Sequence, residues 1–403
     1  MNREPKPGTM SAPLSLYLHI PFCRHRCAYC DFNTYTSLSD LQTPYATALA
    51  REVAQVAQAA AQARPAAHTI FFGGGTPSLM AAPDLARIMD SVRRHFRLAD
   101  DAEITMEANP GTVNGPYLQA VRALGVNRIS FGMQSAVGSE LALLEREHDL
   151  QAVVDAVQLS RAAGFDNLSL DLIYGLPDQS LRSWQTSLEA ALSLQTEHLS
   201  LYCLTIEPGT PMQRWLRQGR IPAPDPDLAA DQYALACSML AERGWQHYEI
   251  SNWARPGRAG RHNLTYWRND AYLGLGAGAH GHAGGYRYEV VKQPRVYLRR
   301  LHEETSLPEE AAPHFPLSVA VAQAHAVSTQ EAMADTMITR LRLLQEGVDL
   351  AAFETQFGCS VYQAFDGAAQ QLVDWGLLYV SEGRLLLTER GWFLSNQVFY
   401  RFV

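Results

Sequence analysis

Three cysteines lie within eight positions near the start of this 403-residue chain, at Cys23, Cys27 and Cys30. Their spacing, C-x3-C-x2-C, suits a metal ion or an iron–sulfur cluster, because thiolates close together in the chain are typical ligands of both. A structural zinc ion would need a fourth ligand, for which His25, inside the first spacer, is the nearest candidate. A four-iron cluster held by three cysteines leaves one iron open for a further ligand, and the spacing favours that chemistry.

The cysteines follow an apolar segment, Leu14–Ile20, and glycines and polar side chains follow later apolar segments. The run Phe72–Pro77 contains three successive glycines, which would let the backbone approach a ligand closely. Glu107, Gln134 and Asp171 lie inside or just beyond three further apolar segments. Any one of them alone could be a satisfied structural residue. Together with the cysteine loop they predict one site, because the carboxyl ends of parallel strands form the functional face of a (β/α) barrel.

The elements that would position these residues are short apolar segments alternating with helix-like ones, a pattern typical of parallel strands joined by right-handed crossovers. The predicted strands are Leu14–Ile20, His68–Phe72, Glu103–Glu107, Arg128–Phe131, Asn167–Ile173 and His198–Leu204. The predicted helices are Thr43–Ala63, Ala82–His95, Asp149–Ala163, Ser180–Leu194 and Asp227–Arg243. We therefore expect an α/β fold with a partial (β/α)6 barrel rather than an open doubly wound sheet.

The motif C-x3-C-x-aromatic-C after an N-terminal strand resembles the signature of the radical S-adenosylmethionine (SAM) superfamily. From about Leu14 to the C-terminus, the chain is similar to the subgroup of oxygen-independent coproporphyrinogen III oxidases and the heme chaperones related to them. The resemblance implies a [4Fe–4S] cluster on the three cysteines, SAM at the open iron and an electron donor for the cluster. It assigns to the SAM site Tyr17, Tyr29, Gly74, Gly75, Thr76, Glu107, Gln134, Arg146 and Asp171, with Thr205 as a weaker match.

Two departures favour the chaperones over the oxidases. The oxidases carry a fourth cysteine two places after the third, where this chain has Phe32. They also have a long N-terminal extension that closes over the porphyrin, and we expect the 22 residues before Cys23 to be too few for such a lid.

The segment His262–Trp267 matches the H-N-x-x-Y-W motif linked with heme binding in this family. The resemblance implies that His262 is a heme ligand, since a neutral histidine is a good axial ligand for heme iron. On the residues alone, His262 and Asn263 could simply cap a turn beside the barrel, and that alternative stays open. The function expected is binding of heme and its delivery to an acceptor protein. Radical decarboxylation of coproporphyrinogen III is the enzymatic alternative, and a zinc-bound docking protein is a third.

Composition limits the other possibilities. The chain carries 33 Lys and Arg against 41 Asp and Glu, a net charge of −8, and 47% of it is hydrophobic. These values exclude a disordered chain and argue against nucleic acid as the main partner. Six cysteines are too few for a disulfide scaffold, and Cys203, Cys237 and Cys359 are expected to be ordinary buried thiols. With no signal peptide or apolar span, we expect a cytoplasmic protein without a membrane span, which leaves room for transient membrane association.

Four consecutive segments are expected along the chain. They are a flexible tail (1–13), the barrel (14–253), a heme-motif region and linker (254–316) and a mostly helical, winged-helix-like domain (317–403). In the last, predicted helices precede a predicted hairpin: Val327–Leu344, Tyr362–Trp375, then Leu377–Val380 with Arg384–Leu387. From Arg340 onward there are five arginines, no lysine and seven acidic residues, which favours packing or partner docking over DNA binding.

Overall fold

The structure is a computed structural model that describes residues 13–61, 63–302 and 314–403. The expected N-terminal tail, apart from Pro13, and much of the expected linker therefore lie outside the described residues.

Six parallel strands form the centre of the barrel and follow one another in sequence order. They are β1 (Leu14–Ile20), β2 (Ala66–Gly74), β3 (Arg97–Ala108), β4 (Arg128–Gln134), β5 (Leu168–Tyr174) and β6 (His198–Cys203). Every residue of β1 except Tyr17 is buried, as expected for a parallel strand covered on both faces. The predicted α/β fold is confirmed.

Helices connect these strands, and two more helices follow β6. They are α1 (Gln42–Gln58), α2 (Ala82–His95), α3 (Gly115–Ala123), α4 (Gly138–Leu143), α5 (Leu150–Ala162), α6 (Leu181–Ser193), α7 (Pro211–Arg217) and α8 (Pro226–Ala241). Pro83 and Asp84 begin α2, as proline and acidic residues do in a first helical turn. Asp149 and Ser180 cap α5 and α6 by accepting from backbone N–H groups. The helices α3, α4 and α7 were not predicted, because at 9, 6 and 7 residues they are too short to show a helical hydrophobic period.

A hairpin and a helix follow the barrel. Strands β7 (Gln246–Glu249) and β8 (Asn252–Ala254) pair antiparallel. Helix α9 (Arg261–Trp267) carries the H-N-x-x-Y-W motif.

A glycine-rich region, residues 274–281, belongs to strands that extend the sheet on the other side of β1. Strand β9 (Tyr272–Leu275) pairs parallel with β1, and β10 (His280–Ala283) and β11 (Tyr286–Val290) continue antiparallel. Helix α10 (Pro294–His302) follows, and β12 (Val321–Ala326) lies beyond β11 at the edge of the sheet.

The C-terminal part is mostly helical, with a small antiparallel sheet in the order β13-β15-β14. Its elements are α11 (Thr329–Arg340), β13 (Val348–Asp349), α12 (Leu350–Phe357), α13 (Val361–Ala364), α14 (Ala368–Asp374), β14 (Leu378–Ser381), β15 (Arg384–Leu387), α15 (Glu389–Phe393) and α16 (Ser395–Phe399). The predicted hairpin is confirmed. A single helix over Tyr362–Trp375 is wrong, because Asp366 and Gly367 adopt left-handed backbone angles (φ 48° and 78°) that separate α13 from α14.

The chain divides into two compact units that are interleaved in sequence, unlike the consecutive segments expected. The first unit contains residues up to Ala236 together with Ala271–His325, and the second contains Cys237–Asp270 with Ala326–Val403. In the second unit, apolar side chains from α11, α12, α14 and the hairpin form one core, around Met337, Phe353, Leu372 and Leu385.

None of the helices in the described ranges has the length and apolar character that crossing a bilayer requires.

Candidate cluster and cofactor site

The cysteine loop leaves β1 at its carboxyl end and is closed at its base by backbone bonds. The Cys23 N–H donates to the Tyr35 carbonyl (3.0 Å), and the Tyr35 N–H donates to the Pro21 carbonyl (2.8 Å). The Asn33 side chain donates to the carbonyls of Ala277 and Lys292 (2.9 Å each). Residues from the glycine-rich region therefore hold the loop, a contact that sequence reasoning missed.

A cavity of about 380 Å³ lies at the carboxyl ends of the barrel strands. All three cysteines of the loop line it, and so does Thr205. The other lining residues that were predicted for the SAM site are Tyr29, Gly74, Gly75, Thr76, Glu107, Gln134, Arg146 and Asp171. Among the SAM residues predicted from the resemblance, only Tyr17 is not part of the cavity wall.

The three thiols are free and half-buried. Thr76 Oγ1 donates to Cys23 Sγ (3.6 Å). Burial raises the pKa of Cys23 and, with the neighbouring thiols, raises the pKa of Cys30 to about 11. Because metals bind the thiolate, a bound cation would have to supply the charge that favours deprotonation here.

The donor set fits an iron–sulfur cluster. Three soft sulfur ligands face one cavity. Within the described ranges, no three Cys, His, Asp or Glu side chains converge closely enough to share a single metal ion. A four-iron cluster does not require such convergence, because each thiolate binds a different iron.

The glycines after β2 let that chain segment run against the cysteine loop. The N–H groups of Gly75 and Thr76 donate to the carbonyls of Ile20 and Phe22 (2.8 Å each). A Cβ on Gly75 would lie 2.6 Å from the Phe22 oxygen, and one on Gly74, whose φ is +114°, would lie 2.5 Å from the His19 ring. Any larger residue would therefore push the cysteine loop away.

Arg146 connects the cysteine loop to the strand ends. Its Nη1 donates to Cys27 Sγ (3.4 Å), and its Nη2 donates to Asn109 Oδ1 (3.1 Å) and to the Gly132 carbonyl (2.9 Å). Its Nε is buried without a partner among the described residues. The Arg146 side chain lines the cavity, so its cationic guanidinium fits an anionic group of a bound cofactor.

Glu107 and Asp171 are two of the four acidic residues in the cavity wall. Glu107 Oε2 accepts from the Gly74 N–H (3.1 Å), and Ser130 Oγ lies 3.1 Å from both oxygens of Asp171. Burial and the charge of Asp171 raise the pKa of Glu107 to about 7, and burial raises the pKa of Asp171. The pair therefore favours a ligand that brings ammonium or hydroxyl donors. Ser130 and Asn109 were missed because nothing in their local pattern distinguishes them from ordinary strand and loop residues.

Gln134 ends β4 in a strained conformation. Its φ is +63°, in the left-handed region that non-glycine residues rarely adopt. The pairing of β4 with β5 shifts register between Gly132 and Gln134. A Cβ on Gly132 would lie 2.8 Å from Gln134 Nε2, so the missing side chain makes room for the glutamine amide beside the cavity.

Tyr17 and Cys203 lie where the sequence did not place them. Tyr17 is in β1, with its hydroxyl 3.0 Å from His19 Nδ1 and its ring stacked on Phe71; its place beside SAM stays a prediction. Cys203 is exposed and lines the cavity at the end of β6, so the expectation of an ordinary buried thiol is wrong there.

His262 belongs to the second compact unit and is only 1% exposed. Its Nε2 lies 2.8 Å from the Tyr266 hydroxyl, and Asn263 Nδ2 donates to the Tyr248 hydroxyl (3.2 Å). The first turn of α9 has no side-chain cap, so neither residue caps this helix. The role of His262 in heme binding stays a prediction.

Replacing Glu107 with glutamine is expected to change how stability depends on pH in the cluster-free protein. Because the folded pKa is about 7 and the usual value is 4.5, the folded state binds a proton between these values that the unfolded state does not. The contribution of this proton to the free energy of unfolding is complete below pH 4.5 and is lost as pH rises through about 7. Glu107→Gln should therefore be more stable than wild type by about 1–2 kcal/mol near pH 8, with little difference near pH 4.5.

Unfolding midpoints of both proteins across this range measure the effect. Asp90→Asn, which removes an exposed carboxylate, is the control. Parallel stability profiles for wild type and Glu107→Gln would contradict the assignment.

The sheet, the cysteine loop and the strand-end residues together define a radical SAM protein. The family model described as Radical SAM superfamily matches residues 17–191, and the HemN C-terminal domain model matches residues 327–394. The coproporphyrinogen III oxidase HemN from Escherichia coli, a radical SAM enzyme, has a similar structure. The TM-score is 0.81 at 25% identity, over 97% of this chain and 90% of that one.

Full-length relatives narrow the class further. The heme chaperone HemW of Bacillus subtilis is 36% identical over 96% of this chain and 99% of its own length. The heme chaperone HemW of Mycobacterium tuberculosis is 38% identical over 98% and 95%. The chain belongs to the HemW family of radical SAM proteins.

Proposed function

We propose that this chain binds heme and transfers it to an acceptor protein, on a scaffold that holds a [4Fe–4S] cluster and SAM. The observation that carries the proposal is one cavity whose lining brings together the three cysteines of the loop, Arg146, and the carboxylates of Glu107 and Asp171, in a chain whose full-length relatives are named heme chaperones. In this proposal the cluster ligands are Cys23, Cys27 and Cys30.

The cavity residues have separate tasks in this proposal. Arg146 keeps Cys27 in place and presents its guanidinium to a cofactor carboxylate. Glu107 and Asp171 accept from ammonium or hydroxyl donors, which SAM carries on its methionine and ribose portions. A bound cluster would supply an electron to SAM, so the protein also needs an electron donor. Tyr29 and the Gly74–Thr76 segment complete the wall around the cofactor.

For the heme, we propose His262 as an axial ligand. The hydroxyl of Tyr266 lies against His262 Nε2, so heme binding through that nitrogen requires Tyr266 to turn away. The heme would then replace one polar contact of a buried histidine by a metal bond. We place the protein in the cytoplasm, where a reducing environment suits six free cysteines.

Decarboxylation of coproporphyrinogen III is the second candidate, and the similarity to the E. coli oxidase over 97% of the chain favours it. Phe32 argues for the chaperone. It lines the cavity two places after Cys30 and is 63% exposed, at the position where the oxidases are expected to carry a further cysteine.

Replacing His262 with alanine is expected to weaken heme binding by about tenfold or more, because the iron loses a protein ligand. The measurement is a heme titration followed by absorbance, with resonance Raman spectra to report the axial ligand. His280→Ala removes an exposed histidine outside the motif and should leave the affinity unchanged. His262→Gln preserves more of the side-chain volume, in case the alanine variant does not fold. Wild-type affinity and spectra in both His262 variants would remove this residue from the proposal.

A further inference from the structure

The last residue of the heme motif is covered by an arginine. Arg342 stacks its guanidinium on the Trp267 ring, with Cζ 4.1 Å from the ring centroid. Its Nη2 donates to Glu249 Oε2 (3.0 Å) and to Ser251 Oγ (3.3 Å). Glu249 is fully buried and also accepts from the Ser251 N–H (3.1 Å). The guanidinium is therefore held in a fixed position against the indole.

Both stacked groups carry a buried donor without an acceptor. Trp267 Nε1 and Arg342 Nε have no hydrogen-bond partner among the described residues. Buried donors are almost always paired in folded proteins. Two unpaired N–H groups on one stacked pair therefore indicate an acceptor that the chain does not itself provide. The Arg342 side chain is 18% exposed, so a ligand can approach it from solvent, and a bond to the two buried N–H groups requires the side chain to shift.

A second arginine–tryptophan stack in the same unit provides a comparison. Arg255 lies over Trp245 at 4.6 Å, and the Trp245 indole N–H is also buried without a partner in the described part of the chain. The Nε of Arg255, in contrast, is not one of the buried donors that lack a partner. Among the arginine–tryptophan stacks of the described residues, the one at Trp267 alone has both a guanidinium Nε and an indole N–H that are buried without a partner, and Trp267 is part of the heme motif.

The chemistry of the two donors selects an anionic oxygen. A cationic guanidinium N–H beside a neutral indole N–H suits a carboxylate, whose two oxygens can each accept a bond. Heme carries carboxylates on its two propionate chains, whereas its macrocycle is apolar. Arg342 covers one face of the Trp267 ring. The propionate-bearing edge of the heme therefore fits this site better than the flat face of the macrocycle.

We propose that Arg342 Nε and Trp267 Nε1 form a binding site for a heme propionate carboxylate. This inference rests on the proposed heme function of the same motif. It assigns Arg342, Trp267 and the supporting Glu249 to ligand recognition, alongside the proposed iron ligand His262.

The test compares heme with heme dimethyl ester, in which the propionates are blocked. Wild-type protein should bind heme about tenfold more tightly than the ester. Arg342→Gln should reduce this preference to about twofold or less, whereas Arg255→Gln, the matched stack outside the motif, should keep it. Trp267→Phe removes the indole N–H with its five-membered ring and keeps a six-membered aromatic ring for the guanidinium to stack on, so it should lose part of the preference; its melting temperature, measured beside the binding, checks that the variant is folded.

The outcomes distinguish failure of the proposed heme function from failure of the carboxylate site alone. Failure of wild-type protein to bind heme would overturn both the heme function and the carboxylate site. Heme binding with the wild-type preference retained in Arg342→Gln and Trp267→Phe would overturn only the carboxylate site, and would assign the two donors to water. If Arg342→Gln does not fold, Trp267→Phe decides alone: a full wild-type preference overturns the site, and a reduced one supports it.

Discussion

Cys27→Ala is expected to leave anaerobically reconstituted protein with iron and sulfide close to the background level. An iron–sulfur cluster held by three cysteines has no spare protein ligand, so the loss of one thiolate leaves one more iron without a protein ligand. Cys27 also accepts from Arg146 Nη1, and alanine would leave that cationic group without its sulfur partner. Iron and sulfide analysis, with the visible absorption of the reconstituted protein, measures the loss.

Cys203→Ala is the matched control, because Cys203 lines the same cavity but is not a proposed ligand. It should retain a full cluster. A full iron content in Cys27→Ala, or an equal loss in Cys203→Ala, would contradict the proposed ligand set. One zinc ion per chain and no sulfide in the wild type would favour the zinc alternative.

Glu52→Ala is expected to be among the most destabilising single substitutions in the first unit, by about 3–5 kcal/mol. Glu52 is fully buried in α1 and accepts from the Gly276 N–H (2.7 Å), the Tyr297 hydroxyl (2.7 Å) and the Ser318 hydroxyl (2.6 Å). Its carboxylate thereby joins α1 to α10 and to the glycine-rich turn. Alanine would leave three buried donors without an acceptor.

Calorimetry measures this loss, because the two compact units need not unfold together and a scan can resolve separate transitions. Gln55→Ala is the control on the same helix, since Gln55 Oε1 has no partner among the described residues and its removal should cost little. Equal melting temperatures for Glu52→Ala and Gln55→Ala would show that the carboxylate network contributes no net stability.

Local patterns were sufficient to predict the barrel. The strand Leu14–Ile20 and the helix Ala82–His95 have the predicted bounds, because an apolar run and a proline-initiated amphipathic segment are encoded in neighbouring residues. The interleaving of the two units could not be predicted in this way. Cys237–Asp270 belongs with the C-terminal part, where Arg268 and Glu346, 78 positions apart, form an ion pair.

The contrast between local patterns and contacts of distant segments also applies to the residues of the site. Residues at strand ends, such as Glu107 and Asp171, were predictable because strand direction places them at one face. Asn109, which accepts from Arg146, was not, because its partner comes from a different crossover. The proximity of Arg342 to Trp267 is likewise a contact between distant segments, and no local pattern predicts it.

The most direct test of the heme-chaperone proposal places both candidate activities in one anaerobic mixture. Reconstituted, heme-loaded protein is incubated with SAM, a reductant, coproporphyrinogen III and apomyoglobin as a probe acceptor. Heme transfer is followed by absorbance, and decarboxylation by mass spectrometry of the porphyrin products. We expect heme to reach the acceptor while coproporphyrinogen III stays intact. Sustained loss of carbon dioxide from its propionates, over many turnovers per chain, would contradict the proposal and identify an oxidase.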